Sequence, residues 1–279
     1  MTQSSNNSNF SDRFAIVAGN GRFPFLVLEA ARDLGIDPLV VAIQEEASPE
    51  LARTGRAVHW LSLGEVSRLL ELLAAERVTK VVLAGQVKHA QLLSSIKPDG
   101  LLRRVLKSLH RKNTDALIGA FVRLLADRGI QVVDSTLFLR PLLPEAGTLT
   151  RRAPVPGELA DVAYGREVAK KIAGLDIGQT IVVADQACVA VEAMEGTDVT
   201  IERAATLSNG RRLVVVKVSK PHQDMRFDVP VVGPKTIQVM SRSNARVLAV
   251  DAGKTLLFER QRLLEEANQA GISIVGMKD

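Results

Sequence analysis

At 279 residues the chain is long enough for one large or two ordinary domains, and 46% hydrophobic against 24% charged residues exclude intrinsic disorder for most of it. A lone cysteine, Cys188, excludes an internal disulfide and suits a reducing compartment such as the cytoplasm, while no uncharged apolar stretch approaches the ~20 residues of a membrane helix. The net charge of +5 raises nucleic acid as a partner, but 18 Lys+Arg against 15 Asp+Glu up to Thr150, 18 against 16 after it, and 4% aromatic residues set that partner aside.

Residues 1–12 are polar, with neither a basic start nor an apolar run, and read as a disordered arm rather than a signal peptide. From Phe14 the chain alternates apolar runs with helical periodicity: a strand at 14–18, a helix at 23–34, a strand at 38–43. A helix at 65–76 carries the stripe Val66, Leu69, Leu70 and Leu73, followed by the strand 80–84. The segment 101–112, read as a helix, puts Arg103, Lys107, His110 and Arg111 opposite Leu102, Val105, Leu106 and Leu109. Such a helix either lies on anionic lipid or buries its leucines in a core. A further helix from about Thr114, with Leu117, Phe121, Leu124 and Leu125, runs out at Gly129 before a strand at 131–134. Strands without alternation are buried on both faces, so 13–139 is expected to be a doubly wound, Rossmann-like parallel sheet domain. Residues 140–157 hold four prolines and no periodic face, the pattern of a linker. A second α/β domain, 158–279, follows, with helices near 158–173 and 259–270 and strands near 180–184 and 213–218.

Gly19-Asn20-Gly21 stands between a strand and a helix, where backbone amides could meet an anion or nucleotide. Pro24 replaces the third glycine of the dinucleotide fingerprint, leaving an ordinary βα turn as an equal reading. Asp251-Ala252-Gly253-Lys254-Thr255 is no P-loop, because Leu248 stands where its first glycine must be and 256–258 looks like strand. The four histidines lack zinc-site spacing, so any metal should be hard and oxygen-bound. From 222 to 229, alternation puts His222, Asp224, Arg226 and Asp228 on one face of a strand, with the two carboxylates about 13 Å apart. A solvated edge strand would show the same pattern. In Glu192-Ala193-Met194-Glu195-Gly196-Thr197-Asp198, Thr197 suits a helix cap and the three acids could hold a hard cation.

Taken in order, Ala18-Gly19-Asn20-Gly21-Arg22-Phe23-Pro24, Gly85-Gln86-Val87-Lys88, Asp176-Ile177-Gly178-Gln179, the 192–198 block and Lys220-Pro221-His222-Gln223-Asp224-Met225-Arg226-Phe227-Asp228 resemble one family. Over residues 14–276 the chain resembles the UDP-2,3-diacylglucosamine pyrophosphatases of lipid A synthesis in Gram-negative bacteria. Asn113-Thr114-Asp115 stands where the family usually has Gly-Asp-Asp, and Asp251 where Glu is commoner. The resemblance implies a magnesium-dependent hydrolase with its active site between the two domains. Water would attack the α-phosphorus, giving UMP and the diacylated glucosamine 1-phosphate. Such chemistry needs a Lewis-acid cation, groups that neutralise phosphoryl oxygens, and a carboxylate to orient water.

On that reading Asp228 is the first candidate for the water-activating carboxylate, with Asp224 and Arg226 in support. Glu195, Asp198 and Asp228 would hold Mg2+, and Lys217, Lys220 and Arg226 would neutralise phosphate. Gly19, Asn20, Gly21, Gln86, Lys88, Thr197 and Gln223 complete the substrate contacts. The resemblance further implies a cytoplasmic protein held peripherally on the inner leaflet of the inner membrane, and it leaves homo-oligomerisation open. Two other classes compete: a nicotinamide oxidoreductase using the glycine turn with Glu45 or Glu46, and a non-enzymatic lipid-binding protein.

Overall fold

Phe14–Ala18 is apolar at every position and forms β1, buried along its whole length because strands pair with it on both sides. The computed structural model describes residues 12–87, 96–109 and 114–278, in two compact units, Met1–Leu139 and Arg140–Asp279. Lys88, His89 and His110 to Asn113 fall outside the described residues, as does the expected N-terminal arm apart from Asp12. Asp12 is not part of a free arm: its carboxylate pairs with Lys80 Nζ at 2.6 Å.

In the first unit, β1 is followed by α1 (Phe23–Asp33), β2 (Leu39–Ile43), β3 (Val58–Leu61), α2 (Val66–Ala75) and β4 (Lys80–Ala84). Next come α3 (Gly100–Ser108), α4 (Thr114–Ala126) and β5 (Gln131–Val132). All five strands are parallel, in the order β3-β2-β1-β4-β5. That is the doubly wound order, in which the chain leaves β1 to one side and returns to its other side with β4, opening a crevice at the carboxyl ends of those two strands. The expected stripe of α2 is buried at all four positions. In α4 the buried positions are Ala120, Val122 and Leu125, with Leu117, Phe121 and Leu124 only half-buried. β3, with its half-buried Val58, His59 and Trp60, is an edge strand whose mixed composition gave no apolar run to read.

The second unit is built on a six-stranded mixed sheet in the order β6-β13-β11-β9-β7-β8. Its strands are β6 (Gly147–Thr148), β7 (Thr180–Ala184), β8 (Ala187–Val191), β9 (Leu213–Lys217), β11 (Ala245–Asp251) and β13 (Ser273–Met277). Its helices are α5 (Pro156–Gly174), α6 (Thr197–Leu207), α7 (Pro234–Arg242) and α8 (Arg260–Gln269), and a separate pair joins β10 (Val231–Val232) to β12 (Leu256–Leu257). Each central strand feeds two cores. Val182, Leu213, Val215, Leu248 and Val250 pack with Ile201, Ile237, Met240 and Leu263 of α6, α7 and α8. Ile181, Val183, Val214, Val216, Val247 and Ala249 pack with Val162, Ala169 and Ala173 of α5. Burial on both faces is why these strands read as unbroken apolar runs. α5 lies so close that a Cβ on Gly165 would stand 2.6 Å from Val216 Cγ2.

The proline-rich segment 140–157, expected as a linker, is instead sewn into this second unit. β6 pairs antiparallel with β13, and Thr150 Oγ1 accepts the Ile274 N–H at 3.0 Å. Arg152 forks onto both oxygens of Glu158, at 2.6 and 2.8 Å, and donates to Ser273 Oγ at 2.7 Å. Proline removes periodicity without removing side-chain anchors, so the segment lacks a helical or strand signature yet is fixed.

Candidate active site

Strand direction decides which ends meet in the second sheet. β9 and β11 run parallel, β7 runs against β9, and β8 runs against β7. One edge of the sheet therefore collects the start of β7 (Thr180), the residue after β8 (Glu192), and the ends of β9 (Lys217) and β11 (Asp251). Thr180 lies opposite Lys217 in register, and the Glu192 N–H donates to Thr180 O at 2.8 Å. Gly178 permits this closeness, since a Cβ there would stand 1.9 Å from Glu192 O.

Lys217 is 6% exposed, and its ammonium donates to Thr197 Oγ1 at 2.7 Å. Thr197 Oγ1 in turn donates to Glu192 Oε1 at 2.8 Å and lies 3.3 Å from Thr180 Oγ1. Burial pushes the Lys217 pKa down, while the carboxylates of Glu192, Asp198 and Asp228 oppose that shift. Glu192 Oε2 and Gln179 Oε1 are buried and accept no hydrogen bond among the described residues, so this cluster has acceptor capacity to spare. Thr197 is not the cap of α6: Gly196, at φ 85°, takes that position, and the threonine hydroxyl serves the lysine instead.

The three acids of the 192–198 block part company. Glu195 accepts from Arg203 at 2.6 Å, from the Ala193 N–H at 3.0 Å and from Thr200 Oγ1 at 3.3 Å. Its own backbone N–H, then Arg203 and the Ala193 amide, hold its pKa at about 2. Asp198 accepts from Thr236 Oγ1 at 2.9 Å and pairs with the exposed Lys235 at 3.2 Å. Among the described residues no three His, Cys, Asp or Glu side chains form a ready-made metal cage.

Residues 222–229 are not a strand. Asp224 O accepts the amides of Phe227 at 3.2 Å and Asp228 at 2.9 Å, winding the segment into turns, and 223–229 are all of intermediate exposure. The two carboxylates are thus one turn apart along the chain rather than at opposite ends of an extended run. Side chains compete with a ladder for the backbone here. Gln223 accepts the Lys220 N–H at 2.7 Å and donates to Asp228 O, closing the loop, while Asp224 Oδ1 accepts the Arg226 N–H at 3.1 Å. The Arg226 guanidinium forks onto Asp224, at 2.8 and 2.6 Å, which holds the Asp224 pKa below and the Arg226 pKa above their usual values. Asp228 is met by Lys220 Nζ at 3.2 Å, and the same ammonium pairs with Asp176 at 2.7 Å.

In the first unit the glycine turn is bridged rather than open. Asn20 and Gln86 exchange backbone hydrogen bonds of 2.8 and 3.1 Å, and the Gly19 N–H donates to Ala84 O at 2.7 Å. A Cβ on Gly19 would stand 2.6 Å from Gln86 O, and one on Gly85, at φ 97°, 2.6 Å from Asn20 O. These glycines let two loops touch, and the amides of Gly19 and Asn20 are used in doing so. Glu45, one of the two acids an oxidoreductase would use, accepts from Ser62 Oγ and from the Leu63 N–H at 3.0 Å.

Residues 13–142 match the family model described as the LpxI N-terminal domain, and residues 145–275 the one described as the LpxI C-terminal domain. The chain belongs to the LpxI family. An LpxI relative from Caulobacter vibrioides, described as UDP-2,3-diacylglucosamine pyrophosphatase LpxI, is 30% identical over 275 residues, 95% of this chain and 97% of that protein. Among solved structures, the biotin carboxylase domain of the Hydrogenobacter thermophilus 2-oxoglutarate carboxylase covers 73% of this chain and 43% of its own. At 14% identity and a TM-score of 0.27 it carries no argument. The two LpxI models meet between 142 and 145, close to the division of the units after Leu139. Within the LpxI frame, sequence reasoning gave no role to Thr180, Asp176 or Lys170. Thr180 and Lys170 lie inside regular elements, and Asp176, although in a quoted motif, finds its partner Lys220 only through folding.

Proposed function

We propose that the chain hydrolyses the pyrophosphate of UDP-2,3-diacylglucosamine, with water attacking the α-phosphorus to give UMP and 2,3-diacylglucosamine 1-phosphate. The observation that carries this is the match to both LpxI domain models, with the chemically equipped edge of the second sheet inside the C-terminal one. Lys220 and Arg226 are the phosphate-facing cations, being partly exposed, whereas Lys217 acts from within as a buried positive charge behind Asp228 and Asp198. Asp228, beside Lys220, orients the attacking water.

Magnesium fits the donor chemistry, which is all hard oxygen. This ion keeps several waters and takes one or two carboxylates plus substrate phosphates, so it needs no closed protein cage. Asp198 and Asp228, both close enough to Lys217 to act on its charge, would hold it by exchanging their pairings with Lys235 and Lys220, with the unmatched Oε2 of Glu192 also beside that lysine, whereas Glu195 is turned to Arg203, Thr200 and the Ala193 amide. Bound there, the ion supplies Lewis-acid polarisation of the phosphoryl oxygens. Incubation with UDP-2,3-diacylglucosamine in the presence of magnesium should release UMP, and addition of EDTA should stop it; undiminished release in EDTA would remove the ion from the reading, and no release at all would remove the reaction.

The same reading puts the protein peripherally on the cytoplasmic leaflet of the inner membrane, because two acyl chains keep the substrate in the bilayer. Among the described residues no helix is long and apolar enough to cross a membrane. α3 supports a surface association: Arg103, Arg104 and Lys107 are exposed, and Leu101, Leu102, Val105 and Leu106 are half-exposed rather than in a core. Charge reversal at Arg104 and Lys107 should lower co-sedimentation with anionic vesicles and spare hydrolysis of detergent-dispersed substrate; unchanged co-sedimentation would exclude α3 as the contact.

A further inference from the structure

Asp251 ends β11 at the same sheet edge as Lys217, and the neighbouring Val250 is in register with that lysine. It is 1% exposed. Its Oδ2 accepts three hydrogen bonds: from Lys170 Nζ of α5 at 2.6 Å, from the Ser219 N–H at 2.7 Å and from the Ser219 hydroxyl at 2.7 Å. Lys170 also reaches Ser219 O at 3.2 Å, so both cation and anion grip one residue. Asp251 Oδ1 is buried without a hydrogen bond among the described residues, and Arg166 Nε lies 3.9 Å from it.

Burying a carboxylate is costly, and pairing it with a cation often does no better than an apolar pair of the same size, so stability alone gives little reason for it here. What the arrangement supplies is placement. Ser219 is fully buried and directly precedes Lys220, whose ammonium meets Asp228 at 3.2 Å. Asp251 is itself immobilised: its carbonyl accepts the Thr255 N–H at 3.3 Å, and the next two amides are taken by Met277 O and Pro144 O, both at 2.9 Å. The loop is therefore pinned at its start by a charged clamp and closed at its far end by Gln223 on Asp228 O.

We propose that Asp251, clamped by Lys170, is a positioning residue of the active site: it fixes Ser219 and thereby sets Lys220 Nζ against Asp228. The catalytic readout rests on the diphosphatase reading given above; the structural readout does not. The segment 251–255, which is not a P-loop, thus contributes through its first residue.

The test compares wild type, Asp251→Asn, Asp251→Glu, Lys170→Met and the Asp251→Asn/Lys170→Met double variant. It uses amide hydrogen exchange over 219–228, the melting temperature, and steady-state UMP release from dispersed substrate. Asp251→Asn leaves one acceptor where three donors converge, so exchange across 219–228 should quicken by tenfold or more while β9 and β11 stay protected. A catalytic group displaced by about 1 Å costs ~10²-fold, so kcat should fall ~10–100-fold with KM within about threefold. Asp251→Glu, which retains the carboxylate, should keep wild-type exchange and kcat within about threefold. The double variant removes the ammonium whose ion pair Asp251→Asn breaks, and should regain melting temperature without regaining kcat or loop protection.

Unchanged exchange over 219–228 in Asp251→Asn, or kcat recovering together with melting temperature in the double variant, would overturn the positioning role. Loop exchange moving as expected in a protein whose wild type releases no UMP would instead sink the diphosphatase reading and leave the clamp standing.

Discussion

The two units each carry a connection at the carboxyl ends of parallel strands, and they fix it by opposite means. Around Gly19 to Gly21 the backbone of one loop bonds the backbone of the other, with glycine at 19 and 85 because any side chain would collide with a carbonyl. Around Lys220 to Asp228 side chains do the fastening: Gln223 closes the loop, Asp224 forks with Arg226, and Asp251 holds Ser219. The backbone bridge takes up the amides of Gly19 and Asn20, two of those that would meet an anion. A loop tied by side chains keeps charged groups partly exposed, which is what a reaction on a phosphate needs.

The contrast is broken most severely at Asp228. If that carboxylate orients water, Asp228→Ala should lower kcat by ~10²–10⁴-fold while the protein stays folded and still binds the lipid. Steady-state UMP release with a parallel binding measurement checks this, and activity within a few-fold of wild type would remove Asp228 from the chemistry. Asp224→Ala should cost less, about tenfold in kcat, or ~1.4 kcal/mol, because Asp224 shapes the turn and holds Arg226 without touching the water. In the first unit the matching experiment is Gly85→Ala. A Cβ at φ 97° facing Asn20 O should cost ~1–3 kcal/mol of stability, seen as a lower denaturant midpoint for that unit. An unchanged midpoint would mean that the loops part freely and that the bridge is no constraint.

The smallest expected effect concerns Glu195. Its folded pKa of about 2 lies below the ordinary 4.5, so its interactions add stability that is fully present above pH 4.5 and is lost as the pH falls through about 2. Glu195→Gln should accordingly lower the melting temperature at neutral pH, and the gap to wild type should close between pH 4.5 and 2. A gap that does not narrow there would show that the Arg203 pairing is not what stabilises this turn.

Much of the fold was legible because buried parallel strands and amphipathic helices leave local signatures. β1, β2, β4, β7 and β9 stood out as apolar runs, and the stripe of α2 is buried at every expected position. The edge strand β3 escaped, since a half-buried strand containing His59 and Trp60 has no such run. At the candidate site the residue types were legible and their pairings were not. Residues 222–229 were expected as a strand and instead turn, with Arg226 forked onto Asp224, because a period of two is equally well satisfied by a chain that turns once Gln223 and Asp224 take the backbone's hydrogen bonds. Proline at 141, 144, 154 and 156 suggested a free linker, yet Arg152 and Thr150 tie that stretch to Glu158 and β13.

By itself, the sequence determined the apolar strands β1, β2, β4, β7 and β9 and the helices other than α7, that the chain holds two α/β units, and which charged motifs invite phosphate chemistry; it left β13 and α7 unread. These are local properties, written in periodicity and residue type. Only the tertiary structure decided that Thr180, Glu192, Lys217 and Asp251 share one edge, because that depends on strand order and on the reversal of β7 between β8 and β9. It alone decided that the glycine turn is closed and that Lys170 reaches Ser219 from α5. Both are contacts between residues tens of positions apart, where burial and hydrogen-bond partners are set by neighbours that the local sequence does not contain.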